Sequence, residues 1–189
     1  YQHSCGYARR CGLQHSRGKY YFDVDSDTIY PPMYYELMLD QLMKPGIVAV
    51  SATWSYFPDE NHSKLGLRLF EMCRDLFLWI QHFKRPELSV RGLVFAYNAD
   101  YGRKEEYRVD IIRGEDGSMA LSLKKYGKIK FVRDRRCRAI TGYGTIGNQS
   151  MWQSFVQHVK IQSKGITRIF SKKDHYEDSE DNLVKPNSP

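Results

Sequence analysis

Cys5, Cys11 and His15 follow the spacing C-x5-C-x3-H, the order of the last three ligands of a CCCH zinc site. Thiolate and imidazole donors of this kind bind zinc tetrahedrally and fold a short peptide around it. His3 lies too near Cys5 to complete the set easily, so these residues make at most a partial metal site. The second chemical feature is electrostatic. Lys124, Lys125, Lys128, Lys130, Arg133, Arg135, Arg136 and Arg138 lie within fifteen residues against a single acid, Asp134. On a strand, Lys128 and Lys130 share one face while Ile129 and Phe131 anchor the other. Such a ribbon would displace counterions from phosphates, in RNA or in lipid head groups. A solvated strand face is the plainer alternative. Third, Pro31, Pro32 and Tyr34 form a P-P-x-Y motif, the preformed polyproline turn that WW domains bind.

Catalytic constellations are harder to find. The six His are scattered, and no H-E-x-x-H, G-x-S-x-G or phosphate-binding G-x-x-x-x-G-K motif is present. Gly142, Gly144 and Gly147 spell G-x-G-x-x-G without the surrounding βαβ pattern that gives that string meaning. Asp100, Glu105 and Glu106 could surround a metal in an enzyme of nucleic-acid metabolism, though no pattern singles them out. The reading is therefore a non-enzymatic binding protein with no cofactor. An RNA-binding regulator with a partial Cys5/Cys11/His15 zinc site is the alternative, and an unrecognised nucleic-acid enzyme the second.

These groups need a scaffold. With 41% hydrophobic and 14% aromatic residues, the 189-residue chain can build one core, which excludes a disordered protein. A net charge of +7 favours acidic partners. Four Cys in no disulfide framework point to a reduced, intracellular setting, and no apolar run approaches the roughly 20 residues of a membrane span.

Residues 1–34, with Asp23, Asp25 and Asp27 near their end, read as a flexible arm leading into the P-P-x-Y motif. A short helix over 35–43 precedes a strand over 46–57. Residues 63–83 form the dominant helix, capped by Asn61 or Ser63, with Leu65, Leu69, Met72, Cys73, Leu76, Ile80 and Phe83 repeating at helical spacing. Further strands are expected over 88–99, 106–113, 118–126 and 128–140, with Gly114-Glu115-Asp116-Gly117 as a hairpin turn. Residues 151–160 read as a last helix or an edge strand. The expected fold is α+β, an antiparallel twisted sheet of four to six strands packed on one long helix. The folded domain spans 35–162, and 163–189 is a polar, acidic tail.

The order of polar arm, PPMY at 31–34, strand, long helix and strand resembles the rhabdovirus matrix proteins over residues 31–100. That resemblance implies self-association, bridging of a nucleocapsid to the inner membrane surface, recruitment of a WW-domain host protein at budding, and residence in the virion and host cytoplasm.

Overall fold

The computed structural model describes residues 4–58, 60, 62–142, 156, 182 and 183. Its elements run α1 (Cys5–His15), β1 (Tyr20–Asp23), β2 (Thr28–Ile29), α2 (Tyr34–Leu42), β3 (Ile47–Ala52), β4 (Trp54–Tyr56), α3 (Lys64–Lys84), β5 (Phe95–Asn98), α4 (Ala99–Glu105), α5 (Glu115–Leu123), β6 (Lys128–Val132) and β7 (Ala139–Thr141).

Two mixed sheets result. One has the strand order β1-β5-β3-β6, with β3 antiparallel to β5 and parallel to β6. The other has the order β2-β7-β4, in which β7 is antiparallel to β2 and parallel to β4. This corrects the expected antiparallel sheet on one helix. Helices cover both faces of the larger sheet, so β3 is buried along nearly its whole length instead of alternating, as strands with parallel partners commonly are. On one face Tyr34, Met38 and Leu42 of α2 pack with Val50, Ala52, Ala96 and Leu78. On the other, Leu13 of α1 and Met119, Ala120 and Leu123 of α5 pack with Val48, Phe95 and Tyr97. A register irregularity between Ile47 and Ala49 accompanies the switch of β3 side chains from one core to the other.

The expected strands 106–113 and 118–126 are absent. Gly114, at φ 88°, is the N-cap of α5, not part of a hairpin, and Glu115 and Asp116 occupy the first turn, where the helix dipole favours acids. The expected strand 88–99 keeps only β5, after two 3-10 turns, and 128–140 divides into β6 and β7 around another.

The long helix has nearly its expected bounds, and the Ser63 hydroxyl accepts from Gly66 N at 3.2 Å. Its repeating stripe faces outward. Leu65, Leu69, Met72, Leu76, Ile80 and Phe83 are exposed, and the inward face carries Leu67, Phe70, Leu78 and Gln81 together with charged Glu71 and Arg74. Those charges are tied down: Glu71 accepts from Tyr56 N at 2.8 Å, and Arg138 reaches Asp75 at 2.7 Å and Glu71 at 3.5 Å. Residues 4–34 are no flexible arm, since they supply α1, β1 and β2. The reading of 151–160, apart from Val156, lies outside the described residues, as does the acidic tail apart from Asn182 and Leu183.

Candidate active site

Arg9 gathers acids from two distant stretches of chain. Helix α1 presents it: Ser4 caps the helix by accepting from Tyr7 N at 3.2 Å, and Leu13 anchors its inner face in the core. Gly6 allows the close approach, because a Cβ there would lie 2.2 Å from the Arg108 carbonyl oxygen. The Arg9 guanidinium is 13% exposed. Nη1 donates to Glu115 Oε1 at 2.7 Å, Nη2 lies 3.4 Å from Asp25 Oδ1, and Nε lies 3.8 Å from Asp23 Oδ1.

The first acids come from the end of β1. Aromatic Tyr20, Tyr21 and Phe22 pair with β5 up to Asp23, which faces Phe95. The chain then leaves the sheet in a turn closed by Thr28 N donating to the Asp25 carbonyl at 3.2 Å. Asp23 is left buried, Asp25 half-buried and Asp27 exposed. The remaining acids open α5. Glu115 turns inward to Arg9, while Asp116 accepts from Gly92 N at 2.6 Å through Oδ2 and from Gly117 N at 2.7 Å through Oδ1.

Burial raises the Asp23 carboxyl to about 7, against the opposing pull of Arg9 and of the Tyr107 hydroxyl that donates to it. Burial alone would depress Arg9, but Asp23 and Asp116 outweigh it and hold the guanidinium above its ordinary range, permanently charged. The result is a fixed cation surrounded by carboxylates of graded exposure, the kind of electrostatic frame that can hold charged groups in a set geometry.

Gly92 is part of this frame. A Cβ there would lie 2.0 Å from Arg9 Nη2 and 2.3 Å from Cζ. Gly92→Ala should therefore unseat the guanidinium and cost about 1–3 kcal/mol of stability, the usual price of overpacking. Calorimetric melting measures this, and an unchanged midpoint would contradict the placement.

The residues singled out in the sequence lie elsewhere. Tyr34 is fully buried, ringed by Phe22, Tyr30 and Tyr35, so the aromatic that a WW groove would take sits inside the core. Pro31 and Pro32 lead straight into α2. The basic run does not form one ribbon. Lys124 pairs with Glu87 at 2.9 Å, Lys125 with Glu105 at 2.7 Å, Arg136 with Asp134 at 2.8 Å and Arg138 with Asp75 at 2.7 Å. Lys128 and Lys130 project from β6, an edge strand, where lysines discourage pairing with another sheet. Arg133 lies over the Trp79 ring, and Arg135 is exposed.

Cys5, Cys11 and His15 all lie on α1, whose rise separates the first from the last by about 15 Å, too far for one coordination sphere. His15 Nδ1 instead meets the Cys11 carbonyl at 2.8 Å. Asp100 pairs with Arg103, Glu105 with Lys125 and Glu106 with Arg10, so these acids do not form a metal site. The acids that do converge on Arg9 include Asp23 and Asp25, from the stretch expected to be a flexible arm. Their signal was an alternation, Asp23-Val24-Asp25-Ser26-Asp27, directly after an aromatic strand.

Residues 2–105 match the model of the family described as Glycosyl transferase family 2, more than half of the chain. No curated protein matches it. Among solved structures the chain is similar to glucosyl-3-phosphoglycerate synthase from Mycobacterium tuberculosis, in complex with Mn2+, UDP-glucose and phosphoglyceric acid. That likeness has 18% identity over 90% of this chain and 56% of that one, with a TM-score of 0.49. Mannosyl-3-phosphoglycerate synthase from Rubrobacter xylanophilus is similar at 19% identity over 94% of this chain and 56% of that one, with a TM-score of 0.43. The chain thus spans little more than half the length of these structures. The family match covers all of residues 31–100 and overturns the resemblance to rhabdovirus matrix proteins. The matrix-type role goes with it, as do the nucleocapsid, RNA, membrane, self-association and WW-domain partners inferred for it.

Proposed function

Because the chain belongs to glycosyl transferase family 2, we propose that it transfers a sugar from a nucleotide-diphosphate donor to an acceptor hydroxyl at the cluster of acids organised by Arg9. The expected non-enzymatic binding protein gives way to an enzyme with a GT-A-like fold of mixed sheets. One observation carries the assignment of the site: Arg9 bridges Asp25, after β1, to Glu115, beside Asp116, across ninety residues of sequence.

Asp116 is the general base in this reading. Both of its oxygens are oriented by backbone N–H donors, and each keeps a lone pair for a further proton. Its carboxylate takes the proton of the acceptor hydroxyl while that oxygen bonds to the anomeric carbon. The bond from that carbon to the diphosphate oxygen breaks, and its electron pair leaves with the nucleoside diphosphate. A single displacement of this kind inverts the anomeric centre. Arg9 neutralises Asp23 and Glu115, so the buried acids do not repel the groups that act.

A divalent cation suits the outer acids. Magnesium and manganese take hard oxygen donors, commonly one or two carboxylates completed by substrate phosphates. Asp25 and Asp27 are such donors, and among the described residues no group of three or more ligand-type side chains forms a closed cage. Held by Asp25, the cation would offset the charge that builds on the leaving diphosphate.

The test is an assay of nucleoside diphosphate release by the full-length protein carrying this chain, over a panel of UDP- and GDP-sugars with Mn2+ or Mg2+. Release from at least one donor, increased by an acceptor sugar or alcohol, is expected. A panel without release would overturn the reading.

A further inference from the structure

The buried Tyr107 has no part in the chemistry above, yet the chain is shaped to place it. The residue before it, Glu106, has φ 54° and ψ 154°, and it is the one non-glycine residue of positive φ among those described. Such a conformation persists only where the surroundings enforce it, and strain of this kind concentrates at functional sites. Here α1 enforces it: Arg10 pairs with the Glu106 carboxylate, and Gln14 Nε2 donates to Glu106 Oε1 at 2.9 Å. The turn drives Tyr107 inward, where it is 2% exposed.

Its hydroxyl donates to Asp23 Oδ2 and accepts from the Tyr97 hydroxyl at 3.3 Å. Gly102 makes room for this relay, since a Cβ there would lie 2.3 Å from the Tyr97 ring. Asp23 in turn faces Arg9 Nε, and Arg9 divides its other donors between Asp25 and Glu115. Tyr97, Tyr107 and Asp23 thus form one buried line that ends at Arg9 and the acids around it.

We propose that Tyr107 is a positioning residue of the transfer site, acting through Asp23 to hold Arg9 between Asp25 and Glu115. The proposal rests on the reading of the Arg9 cluster as the site of sugar transfer. The bracing itself can be observed without activity. A tyrosine hydroxyl on a buried carboxylate fixes which oxygen faces the arginine, and removing it leaves that carboxylate free to rotate and share its charge differently. Phenylalanine keeps the ring and its packing, so the hydroxyl alone is tested.

The experiment combines 15N-arginine NMR with kinetics on the full-length protein. In the wild type the Arg9 Nε–H should be protected from solvent exchange. Tyr107→Phe should accelerate that exchange about tenfold and lower kcat by about tenfold, the scale of a lost hydrogen bond to a charged group, with the donor KM within about twofold. Tyr97→Phe, which leaves the bond to Asp23 intact, should change both by less than about twofold. Asp23→Asn should reproduce the Arg9 loosening, and adding Tyr107→Phe to it should have no further effect; should Tyr107→Phe not fold, a wild-type Tyr107 hydroxyl proton that exchanges quickly with solvent would overturn the bond to Asp23. Unchanged Arg9 exchange in a folded Tyr107→Phe protein would overturn the proposal, as would loosened Arg9 with unchanged kcat. A wild type inactive towards every donor, with Arg9 still dependent on Tyr107, would sink the transferase reading and leave the bracing standing.

Discussion

Asp116→Asn should abolish sugar transfer, lowering kcat about 10²–10⁴-fold, the contribution of a positioned general base. Asparagine matches aspartate in size, and its one carbonyl oxygen can keep the bond from either Gly92 N or Gly117 N, so a single backbone bond at the start of α5 is given up. What it cannot do is take a proton from the acceptor hydroxyl. The loss should therefore fall on kcat, with donor affinity close to wild type and only a modest drop in thermal midpoint from the lost backbone bond. Steady-state release of nucleoside diphosphate beside calorimetric donor binding separates the two. A variant that binds donor normally and retains wild-type turnover would remove Asp116 from the chemistry.

Arg9→Met should be strongly destabilising. Methionine keeps much of the stem's volume and removes the charge. Asp23, 2% exposed in its side chain, and Glu115, 10% exposed, would then be buried carboxylates without their cation. Breaking a buried pair in this way costs about 3–5 kcal/mol, because the remaining charge is uncompensated. Asp23 should respond by binding a proton, since burial already raises it against Arg9's pull. Adding Asp23→Asn to Arg9→Met should recover part of the loss, and denaturant melts of the two variants measure it. Equal stability of Arg9→Met and wild type would mean that the cluster is solvated in solution.

Some of this was legible in the sequence for clear physical reasons. Helix α3 announces itself through its 21 residues of helical spacing and a serine cap, and β3 and β5 through β-branched and aromatic runs between breakers. Periodicity says where a stripe lies and not which way it faces. The Leu65-to-Phe83 stripe points outward because Glu71 and Arg74, on the other face, find fixed partners in Tyr56 N, Ser55, Asp75 and the Trp54 carbonyl. The basic run misled in a similar way: cations can be counted along the chain, but Glu87 and Glu105, which neutralise Lys124 and Lys125, are distant in sequence.

The candidate site was hidden for the same reason. Asp23, Asp25 and Asp27 look like a polar lead-in until Arg9 and Glu115 are brought beside them. Gly114 to Gly117 has the composition of a hairpin turn. Only the helix-forming Met119, Ala120 and Leu123 behind it, packed on Phe95 and Tyr97, decide that it opens α5.

The most direct test of the Arg9 cluster as a nucleotide-sugar site is calorimetric titration of the full-length protein with the nucleoside diphosphate released in the donor assay, with and without Mn2+. The structure predicts binding that requires the cation and weakens at least about tenfold in Asp25→Asn, as expected when a metal's carboxylate ligand is lost. Binding that is indifferent to Mn2+ and undiminished in Asp25→Asn would contradict it.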